Sequence, residues 1–201
     1  GGVQKLGEKL NAEVIPADAT SLEDLENLFS KSMEALGGKI DFVLHAIGMS
    51  LNVRKNRGYT DLKYDWMQKT FDISAISFHK VMQTLYQMDA MSDWGSIVGL
   101  SYIAAQRTFP DYSEMAESKA LLESFARSFG YHFAEKNKVR VNTISQSPTM
   151  TTAGKGIKGF QEFFDYVSRF NAIACDCQAL YLTVLTSPYC LPASRLPPKH
   201  L

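Results

Sequence analysis

Apolar residues along this chain fall into short unbroken runs that alternate with longer stretches of helical period. Glu13 to Ala17 is a short apolar run, and Ser21 with Asp24 then opens a helix that continues through Leu36 and stops at Gly37-Gly38. Ile40 to Ile47 reads as a buried strand. A polar loop carrying Arg54, Lys55 and Arg57 leads into a long helix over roughly Asp65 to Met88, with Phe71, Phe78, Met82 and Leu85 at helical spacing. Gly95 restarts an extended run over Ser96 to Tyr102. A loop closed by Pro110 introduces a second long helix to about Glu135, and Val139 to Ile144 is a further strand. Strands and helices alternate without tight hairpin signals, which predicts a parallel sheet covered on both faces.

Ligands of such sheets gather at the carboxyl ends of the strands. Asp18, Gly48, Tyr102 and Ser145 each fall at or just beyond the end of a different apolar strand, the run from Glu13 to Ala17 being the first, so in a parallel sheet they are expected to share one rim.

Composition narrows the function classes. The 201 residues are 45% hydrophobic, and 21 basic side chains balance 21 acidic ones. One compact domain is the economical reading, and zero formal charge supplies no electrostatic reason to bind nucleic acid. The apolar runs, such as Phe42 to Leu44 and Ile97 to Leu100, fall far short of the roughly 20 residues that cross a bilayer, and no stretch reads as a secretory leader. No membrane partner and a cytoplasmic location are expected. Cys175, Cys177 and Cys190 all lie in the last 27 residues, so the main body carries no disulfide framework. Their spacing with His200 matches no familiar zinc knuckle, and no metal site is expected.

Tyr112 and Lys119 stand seven residues apart on the second long helix. At about 100° per residue they return to within about 20° of one direction, which predicts a phenol and an ammonium on one helix face. Tyr102 precedes them at a strand end. A cation in that place is expected to favour ionisation of the neighbouring phenol. Taken singly, Tyr112 reads better as a surface helix residue and Lys119 as a solvated charge. His45 has no carboxylate or second histidine at metal spacing and reads as a packed structural residue.

The ordered context decides between these readings. His45-Ala46-Ile47-Gly48, Leu100-Ser101-Tyr102, Pro110-Asp111-Tyr112 with Lys119, and Val139-Arg140-Val141-Asn142 with Pro148 and Thr151 resemble the enoyl-acyl carrier protein reductases of bacterial fatty acid synthesis. That family lies in the short-chain dehydrogenase/reductase superfamily. The superfamily more often places four residues from tyrosine to lysine with a serine upstream; the seven-residue step and Tyr102 resemble the enoyl reductase branch. The resemblance runs from about Asn11 to Phe170.

It implies a Rossmann-like, doubly wound, three-layer α/β fold and reduction of the 2,3 double bond of an enoyl thioester. The implied reductant is NADH, with NADPH as the alternative, and the implied substrate is carried on acyl carrier protein. Tyr112 would donate a hydrogen bond to the thioester oxygen and Lys119 would hold the nicotinamide ribose. Tyr102 and Ser50 would border the substrate. Asp18 and Ala19 would meet the adenine end, Ile47 and Gly48 the adenosine ribose, and Thr149, Met150, Thr151, Thr152 and Ala153 the nicotinamide and pyrophosphate. Arg54, Lys55 and Arg57, with Lys155 and Lys158, would face an acidic carrier protein or simply be solvated. An apolar arc of Leu121, Phe125, Phe129, Leu122, Met115, Phe133 and Ala126 spans roughly 140°, wider than the approximately 100° stripe of a simple surface helix. With the family's pairing of equivalent helices, this implies a homotetramer.

Two departures are expected. The family's first strand-helix-strand unit, which carries the glycine-rich turn, has no counterpart ahead of Gly1. Residues 1–170 then form a partial dinucleotide-binding reductase domain. Residues 171–201 read as a divergent tail, from truncation or an altered reading frame.

Overall fold

The computed structural model describes residues 2–108, 112–146, 161, 165 and 182–185. Helix α1 spans Gly2–Leu10 and α2 spans Leu22–Leu36. The termini of α2 follow from its flanking residues. Ser21 accepts a hydrogen bond from the Asp24 backbone N–H, and Gly37 adopts φ 68 so that its own N–H and that of Gly38 reach Glu34 O and Met33 O.

Strands β1 (Ile40–His45), β2 (Met91–Ser101) and β3 (Arg140–Gln146) form a parallel sheet in that order, and β4 (Leu182–Leu185) pairs antiparallel with β3. The tail beyond residue 170 therefore contributes an edge strand. Met91 opens β2 earlier than the hydrophobic run suggests, because a bulge interrupts the strand. Between the pairs Ile40↔Met91 and Phe42↔Ser96 the register shifts, and Trp94 sits there at φ 61. A Cβ on Gly95 would come within 3.1 Å of the backbone oxygens of Ser92 and Asp41, so the bulge requires glycine.

The first apolar run forms no strand, contrary to expectation. Residues 12–17 run alongside α1, where a Cβ on Gly7 would lie 2.4 Å from Val14 Cγ2. A strand needs a ladder partner, and none of the described strands pairs with this segment.

The helical period between β1 and β2 resolves into α3 (Leu51–Arg54), α4 (Tyr64–Phe71), a π-helical turn over Asp72–Ile76 and α5 (Ser77–Gln87). Between β2 and β3 runs α6 (Met115–Asn137), ended by Lys138 at φ 59. Alternation along the strands places Val43, His45, Ile97, Gly99, Val141 and Thr143 on one sheet face, with α5 and α6 packed on it. Phe78, Met82, Leu85, Leu122 and Phe133 from those helices close the core. On the opposite face of β1, Phe42 and Leu44 remain 57% and 51% exposed. The architecture is Rossmann-like, with a parallel sheet and flanking helices.

Candidate active site

The carboxyl rim of the sheet collects most of the residues singled out in the sequence. A cavity of about 640 Å³ is lined by Pro16, Ala17, Asp18, Ala19, Thr20, Asp24, Ile47 and Ile73. Asp18 Oδ1 accepts from the Thr20 backbone N–H and hydroxyl, both at 2.8 Å, while the Asp18 backbone N–H donates to Asp24 Oδ2 at 2.8 Å. The Thr20 contacts hold the Asp18 carboxyl below its usual range. Lys80 Nζ ties this edge to the long helix by donating to Thr20 O at 2.8 Å and Asp72 Oδ1 at 2.9 Å.

The π-helical turn supplies the next contacts. It widens the helix by one residue and so turns several neighbouring side chains toward the end of β1. Ile73 enters the cavity wall. Ser74 Oγ accepts from Met49 N at 2.9 Å and lies 3.2 Å from Met49 O, which fixes the loop after β1. Ser77 Oγ donates to Ile73 O at 2.7 Å, so at 2.8 Å from His45 Nε2 it accepts the ring proton. His45 is 3% exposed, packs on Phe78 with ring centroids 4.9 Å apart, and is driven down to about 4 by burial and then by the charge of Lys119. It is a structural residue, as expected.

Lys119 is 7% exposed, and its ammonium donates to Leu100 O at 2.7 Å. Burial pulls it down to about 8. A Cβ on Gly48 would stand 3.7 Å from Lys119 Nζ and 3.8 Å from Met115 Cε. Glycine therefore leaves the approach to the cation clear of a side chain.

Tyr102 and Tyr112 come together here, with ring centroids 4.9 Å apart and planes tilted by 46°. Two expectations about Tyr112 fail. It lies ahead of α6 and not on it, because Ser113 takes a left-handed φ of 47 and helical geometry starts at Met115. Its phenol is not pushed toward ionisation by Lys119. Burial raises it well above the usual range, with Tyr102 adding to the effect, and burial alone raises Tyr102 to about 12. Desolvation of the phenolate sets the direction, and the Lys119 ammonium is turned to the Leu100 carbonyl.

The Ser50 hydroxyl caps α3 by accepting from Val53 N at 3.0 Å and donates to Glu114 Oε1 at 2.8 Å. Arg57 is engaged by Asp61 at 2.9 Å, leaving Arg54 and Lys55 as the exposed loop cations. Ser145, the penultimate residue of β3, stands opposite Ser101. Thr149 to Ala153, Lys155, Lys158 and the cysteines lie outside the described residues. No group of His, Cys, Asp or Glu suited to a metal occurs among the described residues.

Two buried carboxylates were not foreseen. Glu123 accepts from Ser101 Oγ at 2.6 Å and Gln106 Nε2 at 3.3 Å, which secures the strand end that presents Tyr102. Glu114 accepts from Ser50 and from Thr70 Oγ1 at 2.7 Å. No local sequence signal marks either, since their partners lie far along the chain.

The rim thus offers an apolar cavity edged by a carboxylate, a glycine beside a buried ammonium, and two paired phenols in their protonated forms. That set can take an apolar group in the cavity, hydroxyl groups at the cation and developing negative charge at the phenols. A family model described as enoyl-(acyl carrier protein) reductase matches residues 1–179. Enoyl-acyl-carrier-protein reductase (NADH) 1 of Rhizobium meliloti is 35% identical over 170 residues, covering 84% of this chain and 60% of that protein. The FabI of Aquifex aeolicus is 31% identical over 79% of this chain and 57% of its own length. Among solved structures, the FabI–NADH complex of Alistipes finegoldii matches with a TM-score of 0.83 at 57% identity, over 88% of this chain and 64% of that one. The chain spans about 60% of the length of these curated relatives.

Proposed function

Because the chain belongs to the enoyl-(acyl carrier protein) reductase family, we propose that it reduces the 2,3 double bond of an enoyl thioester presented on acyl carrier protein, with NADH as reductant. The observation that carries this reading is the pairing of Tyr102 with Tyr112, together with buried Lys119 bonded to Leu100 O two residues before Tyr102. When bound, the nicotinamide supplies hydride to the β-carbon of the enoyl group.

The chain's own residues have three tasks. Charge accumulates on the thioester oxygen during reduction, and a protonated phenol is the right donor to meet it. Tyr112 stays protonated at neutral pH because burial disfavours its phenolate, so it serves as a hydrogen-bond donor. Tyr102 borders the same oxygen. Lys119 would exchange its bond to Leu100 O for the ribose hydroxyls, and its charge stabilises the developing anion. Asp18, Ala19 and Ile47 would hold the adenosine end, Gly48 would admit the ribose, and Thr149, Met150, Thr151, Thr152 and Ala153 would contact the rest of the dinucleotide.

The fatty acid context makes acyl carrier protein the partner, with Arg54 and Lys55 as steering charges. Assembly is proposed as a homotetramer. Leu121, Phe125 and Phe129 remain only partly buried on the outer side of α6, with His79 edge-on to both phenylalanines at 4.9 Å. No helix of the described residues is long and apolar enough to cross a membrane, and a cytoplasmic location suits the pathway. Residues 1–170 act as the reductase domain and 171–201 as its tail.

Oxidation of NADH by the purified protein, followed with crotonyl and acetoacetyl thioesters, tests the reading. Crotonyl-dependent oxidation is expected. Reduction of acetoacetyl thioester alone would assign a carbonyl reductase of the same superfamily, and reaction with neither would refute an enzymatic role.

A further inference from the structure

Glu114 is 0% exposed, two residues from Tyr112, and outside the roles assigned above. Ser50 uses its hydroxyl oxygen to accept from Val53 N, so its single proton serves the carboxylate. Thr70 Oγ1 lies 2.9 Å from Trp66 O and 2.7 Å from Glu114 Oε1. With one proton to give, it favours the shorter contact, to Glu114. A single carboxylate oxygen therefore joins the loop after β1, helix α4 and the start of α6.

Neighbouring contacts brace the same joint. Ser113 Oγ donates to Arg57 O at 3.0 Å, and Met115 Cε stacks beside Gly48. Between Tyr112 and Glu114 the backbone turns through the left-handed Ser113. The direction in which Tyr112 leaves the helix is thus set by how firmly Ser113 and Glu114 are held. A buried carboxylate is a costly way to fill this space, and an apolar side chain of similar volume would serve stability at least as well. What a leucine or methionine lacks is a defined direction of contact.

We propose that Glu114 is a positioning residue: its carboxylate clamps Ser50 and Thr70 to the first turn of α6 and thereby aims the Tyr112 hydroxyl at the substrate oxygen. The proposal rests on the role of Tyr112 given above. Glu114→Gln keeps an oxygen for both hydroxyls, whereas Glu114→Ala removes it and Thr70→Val removes one donor with little change of volume.

The test measures kcat and KM with crotonyl thioester and NADH, the isotope effect with deuterated NADH, and amide exchange at Val53. Glu114→Ala is expected to lower kcat by about 10- to 100-fold, the scale of a misaligned reactant. Its KM for NADH should stay within about twofold, and the isotope effect should rise as chemistry becomes slower. Thr70→Val should shift the same quantities in the same direction by less, which keeps the test available if Glu114→Ala folds poorly. Glu114→Gln should restore most of kcat. A loss of kcat equal in the Gln and Ala variants, with an unchanged isotope effect, would show a merely structural role and overturn the proposal. If the unaltered protein reduces no crotonyl thioester, the functional reading fails on its own. Exchange at Val53 then decides the clamp separately: faster exchange in Glu114→Ala upholds it and unchanged exchange rejects it.

Discussion

Replacing Lys119 with methionine should make the protein more stable at pH 7 while abolishing reduction. Methionine matches the length and apolar stem of lysine but carries no charge to desolvate. The fall of Lys119 from 10.5 to about 8, at about 1.4 kcal/mol per tenfold in acid strength, amounts to roughly 3 kcal/mol of destabilisation while the side chain is charged. Methionine also leaves Leu100 O without its 2.7 Å donor, which costs about 1–2 kcal/mol. The net gain is about 1–2 kcal/mol, or a few degrees in Tm at about 2–4 °C per kcal/mol for a protein of this size. The sign follows from the lowered value. The penalty is complete below the folded value of about 8, and it is relieved as pH rises toward the unfolded value. The advantage of Lys119→Met should therefore shrink or reverse by about pH 10. Thermal unfolding of both proteins at pH 7 and pH 10 reads the effect. A variant that melts lower than the parent at pH 7, or a difference that does not change with pH, would refute the reasoning.

Other outcomes follow from the same geometry. His45, held down to about 4 by burial, contributes stability that is complete above the unfolded value near 6.5 and lost as pH falls toward 4; about 3 kcal/mol should disappear across that window. His45→Gln should flatten the acid limb of a denaturant-monitored stability profile. A Cβ on Gly99 would stand 3.0 Å from two ring atoms of Phe78 and 3.2 Å from Leu122 Cδ2, both fully buried. Gly99→Ala should cost about 1–3 kcal/mol in chemical denaturation. Tyr112→Phe should lower kcat by about 100-fold, as loss of one oxyanion donor does, with NADH affinity measured by fluorescence unchanged.

Much of the framework was legible because it depends on local chemistry. Ser21 with Asp24, and Gly37-Gly38, mark both ends of α2 by side chains and backbone freedom that act within a few residues. The rim was legible because strand ends in a parallel sheet share one edge, and Gly48, Tyr102 and Ser145 lie within three residues of the ends of β1, β2 and β3. Features that failed depend on neighbours distant in sequence or on desolvation. Residues 12–17 are apolar enough for a strand but meet no ladder partner among the described residues. The seven-residue spacing of Tyr112 and Lys119 suggested one helix face. Yet the left-handed turn falls on Ser113, a residue that does not announce it as glycine or asparagine would. The π-helical turn leaves the hydrophobic period almost intact, so Ser74 and Ser77 gave no sign of reaching Met49 and His45. Glu114 reads as a solvated charge near a helix start until Ser50 and Thr70, 64 and 44 residues away, are brought to it.

The most direct test of the account follows the transferred hydrogen. Crotonyl thioester incubated with the protein and NADH carrying deuterium at the transferable position of the nicotinamide is predicted to give a butyryl thioester with one deuterium at the β-carbon and a solvent proton at the α-carbon. Recovery of unlabelled crotonyl thioester, or label delivered only to the carbonyl carbon of an acetoacetyl thioester, would contradict it.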